Sequence, residues 1–138
     1  MNRKGLTLIE LLAVLVLISV ITLIAIPSIR YAAKKIDQSN YEAKVEMIEK
    51  ASEEFAADMK EFIVYHYTPQ VGNDGVIPYD IYPVPLEDII SSGYVDYDKG
   101  KTPEGVYDPV SNKDMSNATI NIIYSDNQAY AIFVWSRN

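Results

Sequence analysis

Arg3-Lys4-Gly5-Leu6-Thr7-Leu8-Ile9-Glu10 opens a segment that stays predominantly apolar as far as Ile29, with Glu10 near its start as the one ionisable residue and Pro27 near its end. At a rise of about 1.5 Å per residue, Leu6–Ile29 is long enough to cross a bilayer as one helix. An ordinary secretory signal has a shorter apolar stretch, and Ala25-Ile26-Pro27 places proline where its cleavage would fall. The run is apolar on all sides rather than along one stripe, so it does not read as the core helix of a soluble domain. Glu10 is the anomaly. An ionised side chain in hydrocarbon costs about 2.5–3.5 kcal/mol on insertion scales. A simple anchor has no use for that cost, so Glu10 points to a final environment that supplies its carboxylate with a partner.

The flanks and composition set the surroundings. Arg3 and Lys4 on the short side predict a cytoplasmic N-terminus, with Arg30, Lys34 and Lys35 as a competing basic flank suited to lipid headgroups. The remaining body then lies outside the cytoplasmic membrane. It has no cysteine, so neither a disulfide framework nor a thiolate metal site is available to it. The 138-residue chain carries a net charge of −7. Nucleic-acid affinity rests on Lys and Arg neutralising phosphates, so direct nucleic-acid binding is not expected. Pro27 removes one helix hydrogen bond, at about 3 kcal/mol in a helix interior. Ser19 and Thr22 precede it by one to two turns, where hydroxyls can satisfy freed backbone groups.

After Pro27 the pattern becomes amphipathic. Tyr41, Val45, Ile48, Phe55, Met59 and Phe62 recur at helical spacings, while Glu42, Glu46, Glu49, Lys50, Glu53 and Lys60 occupy the other face. Glu46 and Lys50 form a well-oriented i,i+4 pair. With no proline or glycine between Ser28 and Thr68, a helix continuous from Leu6 to about Tyr65 is expected.

Lys4-Gly5-Leu6-Thr7-Leu8-Ile9-Glu10, the apolar run and Pro27 together resemble the N-terminal signature of type IV prepilins and pseudopilins. The resemblance implies a leader, residues 1–5, cut after Gly5 by a membrane-embedded prepilin peptidase that then methylates the new N-terminus at Leu6. It implies that Glu10, fifth in the mature chain, meets the N-terminal amine of a neighbouring subunit during assembly, and that Pro27 stands where the family often has its proline. Leu6 replaces the phenylalanine most often found first. The implied partners are the peptidase, other copies of the chain and related pilins, an assembly-platform membrane protein and the lipid bilayer. The implied locations are a single-pass precursor in the cytoplasmic membrane and then a surface or envelope filament. The alternative is a single-pass, membrane-anchored binding protein with its body outside the cytoplasm.

The expected fold is α+β and pilin-like: a long N-terminal helix, apolar in its first half and amphipathic in its second, packed on a small antiparallel sheet. The expected divisions are a leader (1–5), a transmembrane and assembly helix (6–29), the amphipathic half of that helix (30–67) and a small C-terminal body (68–138). Within the body, residues 69–85 are rich in Pro, Gly and Asp and read as a connecting loop. Leu86–Ile90 reads as a short helix ended by Gly93, Val95 as the start of a short strand, and Ala118–Tyr124 with Gln128–Trp135 as a hairpin around Ser125-Asp126-Asn127.

No catalytic constellation is present and no cofactor is expected. His66 is the sole histidine, and its place near a helix end suits a cation there. Asp96-x-Asp98-x-Gly100 begins like a calcium loop, but Tyr107 stands where a bidentate glutamate is required. Calcium at Asp96, Asp98 and Asp108 is kept only on the resemblance to pseudopilins that bind it in their C-terminal loops. Asn117-Ala118-Thr119 has the form of a glycosylation sequon, and tyrosines such as Tyr79, Tyr82, Tyr94 and Tyr97 suit either an interface or bulk in a small core.

Overall fold

The computed structural model describes residues 5, 7–73 and 78–136. It divides into two units, residues 1–38 and residues 39–138, and the first helix, α1 (Leu8–Asp58), contributes to both. In the first unit α1 carries leucine, isoleucine and valine on every side, and nearly all of them are exposed. This segment is long and apolar enough to cross a membrane. The hydroxyls of Ser19 and Thr22 donate to the carbonyls of Leu15 and Ile18, each 2.7 Å away, and that of Ser28 to Ala25 at 2.8 Å. Back-bonding of this kind hides a hydroxyl inside an apolar helix. It does not serve Leu23, whose carbonyl is the one that the missing Pro27 N–H leaves without its usual donor.

The second unit is an α+β fold with its own core. It comprises the end of α1, then α2 (Lys60–His66), β1 (Gln70–Asn73), β2 (Pro78–Pro85), α3 (Leu86–Ser91), β3 (Thr119–Ser125) and β4 (Gln128–Val134). The four strands form one antiparallel sheet in the order β1-β2-β3-β4. Ile48, Ser52, Phe55 and Ala56 are the buried side chains of α1, spaced to share one face. With Ile63 of α2 they close over Val84, Ile120 and Ile122 from the sheet. Alternation along β3 places Ile120 and Ile122 inward and Thr119, Asn121 and Ile123 outward. Ser52 is fully buried, and its hydroxyl is satisfied by the Ile48 carbonyl at 2.7 Å.

The expected hairpin forms with a two-residue turn. Asp126 and Asn127 have φ of 50° and 64°, the left-handed pair that a type I′ turn requires and that Asp and Asn tolerate best. The helix at Leu86 also forms, with Gly93 at φ 83° just beyond it. Three readings are corrected. Within residues 69–85, expected to be a loop, the described residues hold β1 and β2. The N–H of Leu86 donates to Ala118 beside β3, and alternation then turns the nitrogens of Pro83 and Pro85 away from β3. On that side β1 pairs only as far as Ile81, so the two prolines leave no ladder bond unmade. Val95 starts no strand and instead buries its side chain in the core.

The long helix is also interrupted, at Met59 (φ −108°, ψ 24°). The Tyr124 hydroxyl donates to the Ala56 carbonyl at 2.9 Å, taking the acceptor that Lys60 N–H would use in an unbroken helix. A side chain inserted into the ladder is a recognised cause of such a break. Beyond it, Ile63 takes the core position, while Phe62 lies outside, stacked on His66 with ring centroids 4.1 Å apart.

Phe55 touches the Tyr94 ring edge-on at 5.3 Å and is fully buried. Phe55→Ala is expected to destabilise the second unit by about 3–5 kcal/mol, and Phe62→Ala by much less, in denaturant titrations followed at Trp135. Burial, together with the neighbouring Tyr82, pushes Tyr124 up from an ordinary value of 10 to about 12. The folded state therefore holds this proton more tightly than the unfolded chain. The corresponding stability is complete below pH 10 and is lost as pH rises through 12. Tyr124→Phe should flatten that alkaline decline in a pH series of thermal melts.

Candidate functional site

Two features of α1 decide how its first turn is built. Thr7 precedes the helix, and its hydroxyl accepts the N–H of Glu10 at 3.3 Å. In return a Glu10 carboxylate oxygen accepts the N–H of Thr7 at 2.9 Å. Thr7-Leu8-Ile9-Glu10 is thus a capping box, in which two orphan amide donors at a helix start are satisfied reciprocally. The negative side chain also stands at the positive end of the helix dipole. The threonine–glutamate spacing was the available sequence signal for this role. Glu10 is exposed, as are the apolar side chains that follow it, so the carboxylate is held in place and remains accessible.

The other residues for which the sequence predicts a processing, assembly or membrane-flanking role are dispersed along the segment. Gly5 is exposed, with nothing within 4 Å of the position a Cβ would occupy. Arg3, Lys4 and Leu6 lie outside the described residues. Pro27 is inside α1. Arg30, Lys34 and Lys35 are all exposed on the helix just beyond the apolar run. The Glu46–Lys50 pair forms at 2.6 Å, and the hydrogen bond, with the attraction between the charges, lowers the carboxyl and raises the ammonium. Both groups are fully exposed, so this is a solvated surface pair.

The three candidate calcium ligands do not converge. Asp98 is ion-paired to Lys44 and also accepts the N–H of Tyr107 at 2.8 Å. Lys44 reaches the Tyr107 carbonyl as well, so it ties the loop before β3 to the helix. Asp108 is buried and turns its oxygens onto the Val110 N–H and the Ser111 hydroxyl, while Asp96 is exposed. Among the described residues no group of three or more carboxylates or histidines is placed to hold a metal. Near the β3–β4 turn an open cleft of about 560 Å³ is lined by Glu53, Lys60, Tyr124, Asn127, Gln128 and Tyr130. Lys60 lies over the Tyr124 ring, 5.0 Å from its centroid. The cleft holds no nucleophile–base pair.

The family model of the prokaryotic N-terminal methylation motif matches residues 1–26. This segment is the type IV prepilin signature. It includes Gly5, the capping box and the greater part of the apolar run. No curated protein and no solved structure matches the chain. The prepilin signature fits a membrane-anchored precursor that is a substrate for N-terminal processing. The α+β arrangement of a long N-terminal helix and a four-stranded antiparallel sheet is pilin-like.

Removing the cap gives a direct check on the first turn. Thr7→Ala should cost the helix start about 1 kcal/mol. Hydrogen exchange at the Glu10 amide of the detergent-solubilised chain should then quicken roughly fivefold, with the exchange of core amides in residues 39–138 unchanged.

Proposed function

We propose that the chain is a structural subunit of a type IV pilus, or of the pseudopilus of a secretion or DNA-uptake machine. It waits in the cytoplasmic membrane with its N-terminus inside and its body outside. A prepilin peptidase cuts after Gly5 and methylates Leu6. An assembly-platform membrane protein then passes the subunit into a filament made of copies of the chain and related pilins. The observation that carries this reading is the methylation motif over residues 1–26. The geometry supports it: Glu10 is presented at the first turn of a helix whose apolar sides are otherwise bare.

The chemistry of assembly follows from the two environments of Glu10. In lipid its carboxylate has only its own first turn for company. Beside another subunit it gains the positive charge of that subunit's amine at Leu6. Ion pairs of this kind add little net stability but specify register well, because an unpaired buried charge is costly in every other register. Arg30, Lys34 and Lys35 flank the membrane face, where anionic headgroups attract them.

Mass spectrometry of the mature N-terminus tests the processing. Methylated Leu6 is the expected result, and mature protein that begins at Met1 would overturn the reading in favour of a plain membrane-anchored protein. Glu10→Ala should insert and be cleaved as usual but yield few filaments; a normal filament yield would remove the assembly role.

A further inference from the structure

The sheet of the second unit has two faces of different character. One packs on the helices. On the other, Tyr79, Ile81, Ile123, Tyr130, Ile132 and Val134 stand outward in adjacent register positions. Tyr130, Ile132 and Val134 are 44%, 49% and 47% exposed. The outward positions between them are uncharged too, among them Gln70, Pro83, Thr119, Asn121 and Gln128. The Tyr79 ring packs against Gly72, where an added Cβ would lie 2.5 Å from it, so the face extends onto β1. Residues 39–138 hold 17 acidic and 7 basic side chains, a net −10. A face without a single acidic or basic residue is the exception in such a body.

The edge of this sheet at β4 is closed. Glu49 and Glu53, one turn apart on α1, accept the outward N–H groups of Phe133 at 2.9 Å and Ala131 at 3.4 Å. A strand arriving at β4 finds these donors taken and two carboxylates in its way, which is how natural sheets block edge-to-edge growth. Contact through β4 is therefore directed to the face.

We infer that the outer sheet face pairs with the same face of a second copy of the chain. Two bodies of net −10 repel each other across most orientations, and this face lets them meet without burying a charge. The two sheets would stack in the manner of a β-sandwich, about 10 Å apart. From strand spacing and rise the face measures on the order of 400 Å². A stable interface uses about 800 Å² per partner. An isolated pair in solution is accordingly short-lived, and pairing becomes effective where a membrane concentrates many copies of the precursor in one plane. This contact is separate from the Glu10 contact and does not require cleavage or filament assembly.

The chain has no cysteine, so single thiols report the contact cleanly. Asn121 sits mid-face between Pro83 and Ile132. Val71 is 73% exposed and belongs to the opposite face. Uncleaved full-length chain in membranes would be treated with a short bismaleimide. Asn121→Cys is expected to give a covalent dimer at least fivefold more abundant than Val71→Cys, and adding Ile132→Glu should abolish it. Equal dimer from both positions would overturn the proposal. So would absence of dimer from Asn121→Cys when a monofunctional maleimide still labels that thiol; the face would then belong to a different molecule. Because the experiment precedes processing, its failure leaves the N-terminal mass result untouched.

Discussion

An α-helix with apolar side chains in every direction needs surroundings that are apolar in every direction. Its own body cannot provide them, because a packed domain covers one stripe of a surface helix and leaves the rest to water. For Leu8–Ile29 this leaves lipid, or a sheath of similar helices. Everything else about the N-terminal segment follows from that limit. Hydroxyls are folded back onto carbonyls, and the first-turn amides are served by Thr7 and Glu10. Polar groups that would be expensive in hydrocarbon are answered locally, and a carboxylate remains at the start where a neighbour can reach it.

The second unit is governed by a more ordinary demand. A four-stranded sheet must cover one face and manage two edges. The end of α1 does both at β4: Ile48, Phe55 and Ala56 cover the inner face, while Glu49 and Glu53 close the edge. Acidic residues that read as a solvated helix face thus have backbone partners on a strand about 80 positions later. Between the helices and the segments that follow them, the Tyr67 hydroxyl donates to Asp88 at 2.7 Å and the Tyr94 hydroxyl to Asp58 at 2.9 Å. Burial, together with Asp88, pushes Tyr67 well above the usual phenol range. The tyrosines prominent in the sequence therefore serve different ends: Tyr94 fastens the helix end, Tyr82 fills the core, Tyr79 lies on the neutral outer sheet face and Tyr97 is exposed outside the sheet.

Local chemistry was legible in the sequence and long-range chemistry was not. The apolar run, the Asp126-Asn127 turn and the helix closed by Gly93 each rest on residues within a few positions of one another. The β1–β2 region was misread because proline counts against a strand until the open flank beside Pro83 and Pro85 is known. The break at Met59 was invisible, since its cause is the Tyr124 hydroxyl, 68 positions beyond the Ala56 carbonyl to which it donates. The capping box is a different failure. Its signal was local, but Glu10 drew attention as a charge in lipid and its spacing from Thr7 went unused.

That spacing bears on where the chain can be cut. Thr7 donates its N–H to Glu10, and the donor is a peptide nitrogen only while Leu6 precedes it. A cut after Gly5 leaves that peptide intact and puts the new amine, with any methyl group added to it, one residue upstream. A cut one bond later would turn the capping donor itself into the terminal amine. The proposed scissile position and the first turn of the helix are in this way matched. Processing at the proposed bond would rewrite the end of the chain without touching the hydrogen bond that begins its structure.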